Sequence, residues 1–192
     1  MPVNINDPRV KRTRQLLMQA FMEILNEKKN IYSISVQDIA ARATVNRATF
    51  YAHFEDKYAF LESWMREKFQ TKLETELPSG SLSDMLSLKA LITSVFDFLS
   101  RTRQYMTPAD SQFEPLFEVA MQNELHQLLF NWLSKQNSNA SREIVETAAL
   151  VVSWGIFGSA VQWSRSSHKR PMDQMVRDVL VVAAASLAPV ME

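Results

Sequence analysis

The sequence predicts an all-α fold in two parts. One is an N-terminal three-helix, helix-turn-helix domain over residues 1–56, and the other a larger helical domain over residues 57–192. Two observations carry this. Apolar residues recur at spacings of three, four and seven along most of the chain, the period of one helix face. Only three glycines stand among the 192 residues, too few for a sandwich built on many tight turns. Hydrophobic residues make up 46% and charged residues 22%, which is enough to build a core.

The elements follow in order. Val10, Leu17, Phe21, Ile24 and Leu25 line one face of a first helix over about 8–27, with Pro8 at its start, where a missing N–H costs nothing. Ser35 is the expected N-cap of a second helix over 36–43, with Asp38 three residues on as an imperfect capping box. Asn46 caps a short third helix through Phe54. Asp56 caps a fourth, over about 57–77. Pro78, Ser79, Gly80 and Ser81 form the clearest break. Helices then follow over about 84–101, from Thr107 and Pro108, from Glu114 and Pro115 through Trp132, over about 141–167, and from beyond Pro171 to about 187. Asn137, Ser138 and Asn139 form a loop between the third and fourth of these.

The formal net charge is zero, but the charge is unevenly placed. Residues 1–54 hold eight Lys and Arg against four Asp and Glu, so a basic head sits on an acidic body, as expected when one module meets phosphate. The chain has no cysteine, which excludes disulfides, thiolate metal sites and a cysteine nucleophile. His126 and His168 have no second ligand at metal spacing, and no nucleophile elbow occurs. We therefore expect no enzyme activity and no cofactor. No secretory signal is visible, which points to the cytoplasm.

The second and third helices, nearly adjacent after a short turn, match the helix-turn-helix plan. Ala40 is the small residue needed where they cross. Ile39, Val45, Phe50 and Phe54 can lock the pair onto the first helix. Arg47, Thr49, Tyr51 and His53 fall on the outward face of the third helix, whose N-terminus favours phosphate. An arginine such as Arg47 can pair bidentately with guanine, worth about 1–3 kcal/mol of discrimination.

The run from Val45 through Asn46, Arg47, Ala48, Thr49, Phe50, Tyr51, Ala52, His53, Phe54, Glu55 and Asp56 to Lys57, preceded by Ile39 and Ala40, resembles the TetR/AcrR family of transcriptional regulators. That resemblance implies that Tyr51, His53 and Lys57 hold DNA phosphates. It implies that Arg47 and Ala48 read base edges with Thr49 in support. Gln37, at the front of the second helix, is placed to touch a base or a phosphate, and Lys11, Arg12 and Arg14 lie near the adjacent backbone or minor groove. Two positions depart from the family pattern. Thr44 stands where glycine is usual in the turn, and a β-branched residue at positive φ is costly. Asn30 follows the first helix where glycine is common, a milder change because Asn tolerates the left-handed region.

In the body, residues 147–164 carry no charge, a run long enough for a membrane span to be weighed. Its polar residues and flanking Glu143 and Glu146 favour a buried soluble helix and no membrane partner. Gly155, Gly158 and Ser159 on this helix, and Ala183 and Ala184 on the last, permit close helix packing. The resemblance implies that these two helices form a homodimer interface, so that the pair binds double-stranded DNA at a near-palindromic operator. The middle helices are rich in Phe, Trp and Met, which suits a packed core and a cavity lining alike. The resemblance implies a cavity for a small apolar or amphipathic inducer, with repressor release as its consequence, and the density of Phe, Trp and Met on successive helices picks out Phe96, Phe117, Met121, Trp154 and Phe157 as its expected lining. The alternative is a DNA-binding protein whose body is a protein-interaction module.

Overall fold

A free backbone amide at a helix start needs an acceptor, and almost every helix of this protein supplies one from its own sequence. A computed structural model describes residues 7–77, 84–135, 140–167 and 170–191. The breaks expected at Pro78, Ser79, Gly80 and Ser81 and at Asn137, Ser138 and Asn139 lie outside the described residues. Among the described residues there are eight α-helices and no strand: α1 (Pro8–Lys28), α2 (Val36–Arg42), α3 (Arg47–His53), α4 (Lys57–Glu76), α5 (Met85–Tyr105), α6 (Glu114–Leu133), α7 (Arg142–Arg165) and α8 (Met172–Met191). A 3₁₀ turn, Pro108–Phe113, precedes α6. Asp7, Asn46, Asp56 and Asp84 each accept an amide of their own first turn at 2.8–2.9 Å. Ser35 accepts from the Asp38 amide while the Asp38 carboxylate accepts from the Ser35 amide, so the capping box closes in both directions.

Three boundaries differ from expectation. The left-handed residue after α1 is Lys29, at φ 49°, and not Asn30. The Asn30 side chain instead accepts the Ser33 amide, and its backbone carbonyl accepts the Ser33 hydroxyl, a turn that the short Asn side chain favours. Helix α5 runs to Tyr105, past the expected end at 101. Helix α8 runs to Met191 through Pro189. A proline near a helix end removes only one intrahelical bond, and Leu187 and Val190 are fully buried there.

The chain divides into two compact units, one of Met1–Met65 with Tyr105–Phe117 and one of Arg66–Gln104 with Glu118–Glu192. Residues 57–65 and the stretch 105–117 thus group with the N-terminal helices, where the sequence expectation divides the chain at 56. In the first unit α1 packs on α2 and α3. Its core is a continuous chain of aromatic contacts. Phe113 meets Phe117, Phe117 meets Trp64, Trp64 meets Phe21 and Phe21 meets Phe60, with ring centroids 4.9–6.2 Å apart. Phe60 then packs on Phe50 and Phe54. Such edge and offset pairs add stability beyond the area they bury. The second unit has its own core, with Leu91, Ile92, Val95, Leu125, Leu129 and Ile156 fully buried, and in it α7 packs on α8.

Candidate nucleic-acid interface

The candidate interface is built outward from Phe50. Its ring is fully buried against Phe54 and Phe60, which fixes the rotation of α3 about its axis. The opposite face of this two-turn helix is thereby left in solvent. Arg47, Ala48 and Tyr51 are exposed, and Thr49 and His53 are half-buried. Gln37, at the front of α2, is exposed as well. The Arg47 guanidinium hydrogen-bonds to the Tyr51 hydroxyl at 3.1 Å and lies 5.4 Å from its ring centroid. One turn of helix therefore presents a cation and a phenol as a unit.

The turn that sets α2 against α3 is tight. Thr44 adopts φ 57°, its amide bonds to the Ala41 carbonyl, and the Val45 amide reaches back to the Ala40 carbonyl at 3.0 Å. The strain expected of a β-branched residue there is present. On the outer side of α2, Arg42 forms a two-pronged hydrogen bond with Glu27, both prongs at 2.9 Å. Its charge is thus committed to α1. The guanidinium beside Glu27 holds that carboxyl below the usual range.

Two expected phosphate ligands and one flanking cation are placed differently from the simple outward picture. His53 closes α3 with its Nδ1 buried and without a hydrogen-bond partner among the described residues, and burial, with repulsion from nearby Arg14, pulls its pKa below the ordinary imidazole value. Arg14 turns inward. It donates to the Ser63 hydroxyl at 2.7 Å and lies 4.4 Å over the Phe54 ring, so it braces α1 against the end of α3 and against α4. Lys57 also turns inward. Its ammonium donates to the Ile31 carbonyl at 2.8 Å and the Tyr32 carbonyl at 3.3 Å, and lies 5.5 Å from the Phe113 ring centroid. Burial lowers its pKa from the usual lysine value. Sequence spacing placed Lys57 correctly at the start of α4 but could not show which way the side chain runs.

In the second unit the expected pocket residues separate. Phe96, Met121 and Phe157 are buried in its core. Phe117 belongs to the first unit, within the aromatic chain. Trp154 is 54% exposed on the outer face of α7, which corrects its expected interior position. Helix α7 is apolar on two faces, and Trp154 falls on the one not used by the core. An open groove of about 510 Å³ in this unit is lined by none of these residues. Lys72, Glu76, Lys89, Asp97 and Arg101 are among those that line it, and Lys72 and Arg101 both pair with Asp97.

The outer face of α7 carries Ile144, Leu150, Val151 and Trp154 in solvent, and that of α8 carries Val181 and Val182. Gly155 and Gly158 lie on the same exposed side of α7, and a Cβ added at either would meet nothing within 4 Å. Among the described residues nothing therefore calls for glycine, which costs about 1 kcal/mol against alanine in a helix interior. Ser159 and Ala184 are half-buried, and Ala183 is buried within its own unit. Helix α7 is also long and apolar enough to cross a membrane by length and composition, with 39% of that stretch buried. Among the described residues no group of His, Asp and Glu is placed to hold a metal ion.

Residues 24–63 match the model of the bacterial regulatory proteins, tetR family. Over 83 residues the chain is 35% identical to the uncharacterized HTH-type transcriptional regulator YxbF of Bacillus subtilis (strain 168), a match covering 43% of this chain and 22% of that protein. Over 179 residues it is 25% identical to the HTH-type transcriptional repressor DhaR of Mycobacterium sp. (strain GP1), covering 85% of this chain and 88% of the repressor. In fold it is similar to the TetR-family repressor FadR of Thermus thermophilus, solved in complex with lauroyl-CoA, with a TM-score of 0.64, 18% identity, and coverage of 91% of this chain and 94% of that one.

Proposed function

We propose that this chain, whose residues 24–63 match the model of the bacterial regulatory proteins, tetR family, is a cytoplasmic transcriptional repressor of that family. It binds a near-palindromic duplex operator as a homodimer and leaves it when a small molecule binds the second unit. The observation that carries this reading is the orientation of α3. Phe50 is anchored in the core, so Arg47, Ala48 and Tyr51 stand together in solvent on a helix of the size that enters a major groove.

In this reading Arg47 and Ala48 meet base edges, with Gln37 and Thr49 beside them. Tyr51 and His53 donate to phosphates. His53 does so as a neutral donor, since burial disfavours its cation. Lys57 supports the loop before α2. The second copy packs on the exposed apolar faces of α7 and α8, where Gly155 and Gly158 allow two backbones to approach. Helices apolar on both sides are what a unit with a second, external partner surface requires.

A ligand of apolar or amphipathic character is supported by the aromatic core and by the lauroyl-CoA bound to the similar FadR. To release DNA it must bind one arrangement of the dimer more tightly than the other, since equal affinity shifts nothing. Selection of bound duplexes from a random-sequence pool tests the proposal. Enrichment of one near-palindromic sequence supports it, and recovery of unenriched DNA refutes it.

A further inference from the structure

We propose that Asp110 is a positioning residue for DNA binding: with Lys57 it clamps the Ile31–Tyr32 stretch of the loop that carries α2, and so makes the 107–113 segment a working part of the DNA-reading unit. The inference rests on the DNA-binding reading and adds to it a residue outside the helix-turn-helix.

Asp110 is 1% exposed. A buried carboxylate needs donors on both oxygens, and this one has three. Oδ2 accepts the Thr107 amide at 3.0 Å and the Thr107 hydroxyl at 2.7 Å, which ties it into its own turn. Oδ1 is left over for a partner 78 residues away, the Tyr32 amide, at 3.0 Å. The same stretch of loop gives its carbonyls at Ile31 and Tyr32 to the Lys57 ammonium. The Tyr32 amide and both carbonyls of the stretch are thus held by two opposite charges that also attract each other.

Ser35, the N-cap of α2, stands three residues beyond Tyr32, and Ile34 between them is buried. Fixing Tyr32 therefore fixes where α2 begins, and with it Gln37 and the turn into α3. A local cap would need only the two bonds to Thr107. The third bond, and the burial of a full charge to make it, are what point to a positioning role.

The test is Asp110→Asn in the full chain. An amide cannot accept from both Tyr32 and Thr107 without setting one of its own donors against another. The duplex selected by the wild type should bind about tenfold more weakly, the scale of one hydrogen bond to a buried charge. Random-sequence duplex should bind as before at low salt, with an unchanged salt slope, and the Tyr32 amide should lose its protection from hydrogen exchange while α1 and α3 keep theirs. Lys57→Gln should likewise deprotect the loop and keep the slope. Wild-type affinity together with unchanged Tyr32 exchange in Asp110→Asn overturns the proposal. So does a slope flattened by about 0.9 in Lys57→Gln with the loop still protected, since that marks a phosphate contact instead. If Asp110→Asn does not fold, Tyr32 exchange in the wild type decides: strong protection supports the clamp, and exchange at the rate of a free loop refutes it. Failure of the wild type to bind any duplex refutes the functional reading alone, because the exchange data report on the clamp without DNA.

Discussion

The Arg47 guanidinium is hydrogen-bonded to the hydroxyl of Tyr51, one turn further along α3, at 3.1 Å. An exposed arginine normally samples many rotamers, and ordering it on contact costs affinity. Held against Tyr51, it is partly ordered before DNA arrives. The Tyr51 oxygen, having accepted from Arg47, keeps its own proton for a phosphate. We expect Arg47→Ala to relax preference at one base position per half-site by about 1–3 kcal/mol. Tyr51→Phe should weaken all sequences and also blunt the preference at that base. Binding-site selection with each variant checks both. A Tyr51→Phe protein with weaker binding but unaltered preference would mean the two side chains act independently.

Much of this geometry was legible in the sequence, because it is set by neighbours. The caps at Ser35, Asn46 and Asp56 follow from side chains within three residues of the amides they satisfy. The outward face of α3 follows from the spacing of Phe50 and Phe54. What the sequence hid is set by distance. Nothing local says that Lys57 reaches back to Ile31, that Arg14 reaches Ser63, or that Asp110 holds Tyr32. Trp154 was misplaced for another reason. A helix apolar on two faces gives no sign of which face the chain itself covers.

The turn between α2 and α3 holds strain that can be removed. Thr44 is exposed at φ 57°, where glycine carries no Cβ penalty. Thr44→Gly should raise stability by about 1 kcal/mol with little change in DNA affinity, read by urea unfolding and duplex titration. A lower midpoint would show that the threonine side chain contributes more than its backbone costs.

His53 makes stability depend on pH with a definite sign. Its folded pKa lies below the ordinary imidazole value, so between the two the unfolded chain is protonated and the folded chain is not. Its contribution is therefore complete above the ordinary value, near 6.5, and is lost as pH falls toward the folded pKa. His53→Gln should flatten that part of the stability profile. An imidazole resonance titrating above the ordinary value would contradict the assignment.

The outer faces of α7 and α8 should hold the dimer. Val151 and Val181 are 56% and 69% exposed, so a charge at either is tolerated by the single chain but is desolvated and unpaired in a dimer. Val151→Glu and Val181→Glu should give folded monomers by light scattering, with operator binding lost because two heads are no longer held together. Gly158→Arg should do the same. Dimers that persist in all three would place the interface elsewhere.

The central claim is that the exposed face of α3 reads duplex DNA, and hydroxyl-radical footprinting on the selected duplex tests it most directly. The wild type should protect two half-sites about 34 Å apart, one helical turn. The double variant Arg47→Ala, Tyr51→Ala should lose both protections while keeping its helical content and melting temperature. A sequence-specific footprint retained by that folded double variant would contradict the account, because the protein would then be reading DNA with another face.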